Sequence, residues 1–234
     1  MTHTQLQAAG FDLSEAAYTR LSEFVRCLLR ENQRVNLTAA RDEESIWREH
    51  ICDSLALLKP VAEERVRRLV DIGSGGGFPG MPLACVRDDL DVTLLDARRK
   101  KVEAVQRMID ELGLCNAQAL CGRAETVAKD PEQRERYDAA VSRAVGPLSE
   151  LIEYAAGFVH VGGVCWFFKS PAGVREEQSA AESAAQVCGM TFERSWRYRL
   201  PGDDQERFLV SYRKVCPLDP HLPRLPGRAR KQPL

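Results

Sequence analysis

A glycine-rich segment after a short apolar run is the part of this sequence whose residue types and spacing are best suited to chemistry. Val70, Asp71 and Ile72 lead directly into Gly-Ser-Gly-Gly-Gly-Phe-Pro-Gly over residues 73–80. Glycines let a backbone turn sharply and approach a ligand without a Cβ clash. A second acid, Asp96, ends the next apolar run, 25 residues beyond Asp71, where its carboxylate can accept hydrogen bonds from both hydroxyls of a ribose. The spacing predicts a site for a cofactor that contains a nucleoside.

Two cofactors fit the glycine segment, and they predict different reactions. A G-x-G-x-x-G pattern that begins at Gly75 satisfies the dinucleotide fingerprint, with Asp96 holding the ribose of NAD. A D-x-G-x-G-x-G pattern that begins at Asp71 matches the first motif of S-adenosylmethionine methyltransferases. The dinucleotide pattern starts three residues past Ile72, which places its glycines poorly relative to the end of the strand. The sequence therefore favours a methyltransferase, with an NAD-dependent oxidoreductase as the alternative.

From residue 67 onwards, apolar runs alternate with helical patterns. Repeated strand–helix units imply an α/β domain, in which a parallel sheet carries helices on both faces. A loop that follows the first strand then lies at the carboxyl edge of the sheet, where such folds bind ligands. The predicted strands are 69–72, 92–96, 117–121, 138–142, 164–168, 191–200 and 207–212, and the predicted helices are 98–112, 148–156, 174–187 and one through Leu83 and Val86.

The first third of the chain reads as helical. Ser14 is a suitable N-cap for a helix whose apolar residues recur at helical spacing up to Leu29. A second helix is predicted over 42–58, with His50 and Ser54 on a face away from its apolar stripe. We therefore divide the chain into a helical N-terminal extension (1–62), a Rossmann-like core (63–214) and a basic C-terminal tail (215–234).

Composition excludes several classes of protein. The 234 residues are 44% hydrophobic and 29% charged, which is typical of a globular domain and not of a disordered or collagen-like chain. The longest uncharged apolar stretch, 154–168, is shorter than the roughly 20 residues of a membrane-spanning helix. The eight cysteines form no CxxC pair, and no cluster of metal ligands is visible. These features predict a reduced, cytoplasmic protein without a metal site.

The net charge of -1 conceals an uneven distribution. Residues 213–234 contain six basic side chains and one acid, so that this segment carries +5 and the rest of the chain -6. A basic segment suits contacts with nucleic-acid phosphates. Charge alone, however, predicts no more than a solvated terminus.

The combination of motifs resembles the small-subunit ribosomal RNA guanine-N7 methyltransferases, the RsmG or GidB family. The resemblance runs from Arg34 to Leu234, and the motifs outside the glycine segment make it specific. Those motifs are Asn36-Leu37-Thr38, Arg48-x-His50-x-x-Asp53-Ser54, Asp96 with Arg98-Arg99-Lys100-Lys101, Arg123-Ala124-Glu125, Ser142-Arg143-Ala144, Lys169, Leu222-Pro223-Arg224, Gly227 and Lys231-x-Pro233-Leu234. One departure is the segment 129–136, which is longer and more charged than is usual in the family.

The resemblance implies a class I S-adenosylmethionine-dependent methyltransferase fold with a seven-stranded, mostly parallel sheet. It implies methyl transfer from S-adenosylmethionine to N7 of a guanine in 16S rRNA, at position 527 of that RNA. The RNA would be met in the 30S subunit or an assembly intermediate, by a monomer. Residue by residue, the resemblance assigns cofactor contacts to Gly73, Phe78, Ala124, Glu125 and Arg143, which Asp71, Gly75 and Asp96 complete. It makes Asn36, His50, Arg143 and Lys169 the candidates for facing the RNA.

This reaction asks little of the protein's acids and bases. Guanine N7 carries a lone pair and no proton at neutral pH, so it can attack the methyl group without a general base. Catalysis then reduces to holding nucleophile, methyl and sulfur in line, with carboxylates or carbonyls stabilising the positive charge that develops on the ring. A second alternative, a non-catalytic RNA-binding protein of ribosome assembly, also explains the basic segment but gives the glycine loop no role.

Overall fold

The computed structural model describes all 234 residues and contains one seven-stranded sheet. The strand order is β3-β2-β1-β4-β5-β7-β6, and only β7 runs antiparallel to its neighbours. The seven-stranded, mostly parallel sheet is thus confirmed. The strands are β1 (Arg68–Ile72), β2 (Asp91–Asp96), β3 (Ala117–Cys121), β4 (Tyr137–Arg143), β5 (Val159–Lys169), β6 (Met190–Tyr198) and β7 (Arg207–Lys214).

Helices cover both faces of the sheet and form the N-terminal extension. The extension contains α1 (His3–Ala8), α2 (Glu15–Asn32), α3 (Glu43–Ile46), α4 (Cys52–Leu55) and α5 (Leu58–Glu63). The remaining helices are α6 (Gly80–Val86), α7 (Arg99–Leu112), α8 (Ala124–Val127), α9 (Leu148–Ala156), α10 (Pro171–Val187) and α11 (Arg228–Lys231). No helix is both long enough and apolar enough to cross a membrane.

Local sequence signals account for most of these boundaries. The Ser14 hydroxyl accepts a hydrogen bond from the Ala17 N–H at 3.2 Å and so begins α2 where the capping residue predicts. Gly113 ends α7 in the left-handed conformation, with φ of 62°, which costs a glycine little. The short helices α1, α8 and α11 were not predicted, because segments of four to six residues carry almost no periodicity.

The predicted helix over 42–58 is interrupted. A π-helical turn (Trp47–Ile51) joins α3 to α4, and the chain turns again before α5 begins at Leu58. The Ser54 hydroxyl donates to the His50 carbonyl at 2.6 Å. Trp47 and Ser54 are buried, whereas His50 is half-buried. π-turns are rare and concentrate at functional sites. The turn therefore supports His50 as a candidate functional residue.

Two apolar layers hold the sheet. Alternate residues of β2 face opposite sides: Leu94 belongs to the core layer that includes residues of α2, α6 and α7, while Leu95 belongs to the layer that includes residues of α9 and α10. This alternation is the geometry of a strand whose two faces are both covered. The glycine segment 73–80 emerges from this core between β1 and α6, at the carboxyl edge of the sheet.

The C-terminal segment is folded onto the protein. Leu218 and Leu222 are buried in the core layer beneath α9. The Arg134 guanidinium donates to the carbonyl oxygens of Leu218, Asp219 and Leu222 at 2.7–3.1 Å. The solvated terminus expected from charge alone is therefore wrong for residues 218–222, which burial and hydrogen bonds to Arg134 hold in place, whereas the basic side chains of α11 are exposed.

Candidate functional site

The glycine loop is fixed by the strand beside it. The N–H groups of Gly73 and Ser74 both donate to the Leu95 carbonyl, at 2.8 and 3.0 Å. One oxygen of the Asp96 carboxylate accepts from the Gly75 N–H at 3.0 Å, and the other accepts from the Arg98 N–H at 2.7 Å. Asp96 therefore fixes both the loop and the start of α7, and its carboxylate lies at the end of β2 where the sequence places it.

Two of the loop glycines meet different constraints. Gly73 has φ of +76°, and a Cβ there would lie 2.3 Å from Cγ2 of Val145, so the loop after β4 packs directly on it. Gly75 has φ of +58°, and the atom nearest to a Cβ there would be Lys101 Nζ at 3.8 Å. The backbone at Gly75 is thus open to a ligand on the side where a side chain would project.

Asp71 is a buried acid with half of its carboxylate unused. It is 0% exposed, and Oδ2 accepts from the Gly80 N–H at 2.8 Å. Oδ1 is equally buried and has no hydrogen-bond partner. Burial raises the pKa of Asp71 to about 7, and the one hydrogen bond and Arg143 only partly oppose that effect. An orphaned acceptor of this kind is fit for a cationic ligand.

Ala124 and Glu125 begin α8, directly after β3, and Glu125 is buried. Its Oε1 accepts from the Gly227 N–H at 2.9 Å, from the Tyr154 hydroxyl at 3.1 Å and from Arg123 at 3.3 Å. Burial alone would raise the pKa of Glu125, but the bonds from Gly227 and Arg123 outweigh it and lower the pKa. The C-terminal segment therefore reaches one of the residues expected to contact the cofactor.

A polar cleft of about 720 Å³ opens beside the glycine loop, where β4 and β5 end. Arg143 projects into it from β4 and donates to the Asp53 carboxylate at 2.8 Å, while Tyr198 donates to the other Asp53 oxygen at 2.6 Å. The guanidinium of Arg143 also lies over the Phe78 ring, 5.2 Å from its centroid. The Asp53 carboxylate thus joins the N-terminal extension to both β4 and β6.

His50 lies in the same cleft in a fixed neutral form. Burial and the nearby Arg143 lower its pKa to about 4. Arginine can only donate, so the contact of 3.1 Å between Arg143 Nη2 and His50 Nδ1 makes Nδ1 the acceptor. The proton must then sit on Nε2, which donates to the Thr38 hydroxyl at 2.7 Å. The ring also stacks on Phe78, with centroids 4.7 Å apart. Contacts with Arg143, Thr38 and Phe78 therefore fix its orientation.

Lys169 lines the cleft but is engaged by the protein. Its ammonium group donates to the Glu177 carboxylate and to the Gly146 carbonyl, both at 2.7 Å. Glu177 also accepts from the Leu148 N–H at 2.5 Å. Because Val145 packs on Gly73, this pair of charges holds the loop after β4 against the glycine loop.

Asn36 stands apart from the other candidates. It is exposed and accepts from Arg41 at 3.3 Å, and it does not line the 720 Å³ cleft. The structure thus brings His50, Arg143 and Lys169 together and leaves Asn36 outside the cleft. The side chain of its neighbour Leu37 lies against Gly76.

Sequence reasoning missed Tyr198 and Glu177. Tyr198 is 145 residues from the Asp53 carboxylate that it contacts, and Glu177 belongs to a helix whose polar face looks like any solvated face. Neither has a neighbouring motif, so only the strand order that brings β6 and α10 to the cleft reveals them.

Known proteins are similar to this chain in sequence and in fold. A family model described as rRNA small subunit methyltransferase G matches residues 17–196. The ribosomal RNA small subunit methyltransferase G of Moorella thermoacetica is 38% identical over 225 residues, which cover 96% of this chain and 93% of that protein. The protein of the same name from Clostridium novyi is 34% identical, with 95% and 91% covered.

Solved structures show the fold at much lower identity. The YcgJ protein from Bacillus subtilis has a TM-score of 0.54 at 14% identity and covers 70% of this chain and 99% of its own. M. jannaschii TYW2 in complex with AdoMet has a TM-score of 0.50 at 15% identity, with 63% and 69% covered. The sheet is that of the class I methyltransferases. Because the family model spans most of the sequence and the relatives align over nearly all of it, this chain belongs to the rRNA small subunit methyltransferase G family.

Proposed function

We propose that this protein transfers the methyl group of S-adenosylmethionine to N7 of one guanine in 16S rRNA, the base at position 527. The observation that carries the proposal is the junction of two sites. The glycine loop with its paired acids, Asp71 and Asp96, adjoins a polar cleft that contains no nucleophile activated by a general base. Such a junction suits a reaction in which a cofactor and a nucleophile need only be aligned.

The residues around the loop fit S-adenosylmethionine. The unpartnered Oδ1 of Asp71 can accept from the ammonium group of the methionine portion, and the open backbone at Gly75 admits it. Asp96 keeps lone pairs for the ribose hydroxyls, since its two backbone hydrogen bonds use only part of its capacity. Ala124 and Glu125 stand at the end of β3, next to Asp96, and are assigned to the adenosine end. We also assign Gly73, Phe78 and Arg143 to cofactor contacts.

Bound S-adenosylmethionine supplies an electrophilic methyl group on a sulfonium. The guanine N7 lone pair would form the new N–C bond as the C–S bond electrons return to sulfur, so that S-adenosylhomocysteine and a cationic guanine would result. The cleft is lined by four carboxylates, of Glu49, Asp53, Glu177 and Glu206, and by three basic side chains, of Arg143, Lys169 and Arg207. The excess of one negative charge favours positive charge on the ring. His50, neutral above about pH 5, orients Arg143 and takes no proton.

The remaining candidates receive supporting roles. Lys169 holds the loop after β4 through Glu177 and so shapes the cleft rather than contacting phosphate. Asn36, exposed beside Arg41, is placed to meet RNA next to the glycine loop. We propose that the protein acts as a cytoplasmic monomer on the 30S subunit or an assembly intermediate.

The two alternatives explain less of the molecule. An NAD-dependent oxidoreductase leaves the Asp53–Arg143–Tyr198 network without a purpose and does not agree with the family to which the chain belongs. A non-catalytic assembly protein leaves the orphaned Asp71 oxygen and the open Gly75 without a ligand.

The test is methyl transfer from labelled S-adenosylmethionine to 30S subunits that lack the modification, with the modified base mapped. Incorporation at a single guanine N7 is the expected result. If the protein binds S-adenosylmethionine but transfers no methyl group to 30S subunits, to free 16S rRNA or to assembly intermediates, the result would favour the non-catalytic assembly protein. Binding of NAD in preference to S-adenosylmethionine would favour the oxidoreductase. Comparison of the three RNA substrates identifies the preferred one.

A further inference from the structure

The basic residues near the C-terminus fall into two groups. Arg213, Lys214 and Arg224 are neutralised by partners within the protein, Glu64 with Glu193, Glu135 and Glu153 respectively. Arg228, Arg230 and Lys231 on α11 form no salt bridge and are exposed. The structure therefore uses the first group to fix the segment and leaves the second group available to a partner.

One side of α11 borders a surface cleft of about 390 Å³. Arg228 lines it together with Lys129, which follows α8, is exposed and forms no salt bridge either. The cleft is also lined by His221, Arg224 and Leu225, and the Leu225 side chain is 67% exposed. No carboxylate lines the cleft. Such a lining attracts an anion and offers one apolar side chain beside it.

The backbone that carries these side chains is held firmly. Arg224 forms a bidentate pair with Glu153, which is 0% exposed, at 2.6–3.2 Å. The neighbouring acid, Asp219, turns its carboxylate to the His221 N–H at 2.7 Å. The cations are thus presented from an ordered frame, which lowers the entropy cost of binding.

The cleft is connected to one of the residues expected to contact the cofactor. Gly227, between Leu225 and Arg228 in the sequence, donates its N–H to Glu125 at 2.9 Å. The segment 225–228 thus contacts Glu125, which we assign to the adenosine end of the cofactor site, and also lines the basic cleft.

We propose that the cleft lined by Lys129 and Arg228, named here the strap cleft, is a binding subsite for the phosphates of the RNA substrate. The inference rests on the proposed function, because that function supplies the RNA substrate. It locates part of the RNA-binding surface on the C-terminal segment and the turn after α8. The exposed Leu225 side chain packs against a ribose or base of the same strand.

The test removes two charges without touching the cofactor site. Lys129→Gln/Arg228→Gln is compared with Lys59→Gln/Arg65→Gln, which removes two exposed charges from α5 and the segment before β1, neither of which lines the strap cleft. Binding of 30S subunits that lack the modification is measured by filter retention at several salt concentrations, and S-adenosylhomocysteine binding is measured by calorimetry.

The expected result follows from counterion release. Loss of two phosphate contacts lowers the slope of log Kd against log salt by about 1.5 and weakens RNA binding about tenfold at 0.15 M salt. The control variant keeps the wild-type slope, and both variants bind S-adenosylhomocysteine as the wild type does. The charge-retaining variant Lys129→Arg/Arg228→Lys restores RNA binding.

Slopes equal to those of the control variant would overturn the strap cleft as a phosphate site. So would an equal loss in the charge-retaining variant, which would indicate a role of shape and not of charge. The proposed function fails separately: it is overturned if the wild-type protein binds 30S subunits but transfers no methyl group to any of the RNA substrates.

Discussion

Replacing Asp71 by asparagine is expected to make the protein more stable and less able to bind its cofactor. The carboxylate is fully buried, accepts one hydrogen bond and leaves Oδ1 without a partner. An amide keeps the acceptor for the Gly80 N–H and removes the buried charge. Stability and function therefore respond in opposite directions to a change of one atom.

The size and sign of the effect follow from the pKa of Asp71. It is about 7 in the folded protein and 3.8 ordinarily, so between these values the folded protein holds a proton that the unfolded chain has lost. The wild type then loses stability as the pH rises from about 4 to about 7, by roughly 1.4 kcal/mol for each pH unit and about 4 kcal/mol in all. Asp71→Asn does not pay this cost. The buried N–H groups of the amide offset up to about 2 kcal/mol of this gain at every pH. We therefore expect the variant to be about 2–4 kcal/mol more stable than the wild type at pH 8 and within about 1 kcal/mol of the wild type at pH 4.5.

The measurement is thermal unfolding without cofactor at pH 4.5 and pH 8, with Asp91→Asn, an exposed carboxylate at the start of β2, as the control for loss of charge. A gain of a few kcal/mol raises Tm by about 5–10 °C in a chain of this size. Calorimetry should show S-adenosylmethionine binding weakened about 10- to 100-fold, because a charge-assisted hydrogen bond is lost. A difference between Asp71→Asn and wild type that is the same at both pH values, or a variant less stable at pH 8, would refute the reasoning.

Three further predictions concern separate parts of the molecule. Asp96→Ala should weaken S-adenosylmethionine binding at least about tenfold by calorimetry and should lower Tm moderately without unfolding the protein, because the Gly75 and Arg98 N–H groups lose their acceptor; unchanged affinity would exclude the ribose role. Arg224→Ala leaves the buried Glu153 carboxylate unpaired and should cost about 3 kcal/mol in urea unfolding, whereas Arg230→Ala should cost almost nothing; equal losses would contradict the buried pair. His50, with a pKa of about 4 against an ordinary 6.5, stabilises the fold above pH 6.5 and loses that contribution as the pH falls towards 4. Its ring signals in NMR should not shift between pH 8 and pH 5.5, and a titration near pH 6.5 would show that the ring is not buried against Arg143.

The cofactor half of the site was predictable from sequence because it is local. The strand, the glycines and Asp96 are close in the chain, and parallel strands bring their carboxyl ends to one edge whatever the rest of the fold does. All seven predicted strands are present, although β5 begins at Val159, five residues early, in a stretch broken by glycines. The sheet itself therefore followed from alternation of apolar runs and helical periodicity.

The substrate half depends on contacts that no local pattern encodes. Tyr198 reaches Asp53 only because β7 inserts between β5 and β6. The charge of the C-terminal segment was visible, but its neutralisation was not, since the partners of Lys214 and Arg224 lie 79 and 71 residues away. Net charge counts side chains and carries no information about which of them are already paired.

The meeting of Arg143, Asp53 and Tyr198 has a consequence for how the protein is made. A ribosome synthesises Asp53 early and Arg143 later, but Tyr198 emerges only when four-fifths of the chain exists. The glycine loop and its neighbouring strands β1 to β4 are complete long before that moment. During synthesis the residues of the glycine loop are therefore present well before the cleft is complete, so that a chain interrupted before β6 contains Asp71, Asp96 and the Asp53–Arg143 pair but lacks the tyrosine that holds the other oxygen of Asp53.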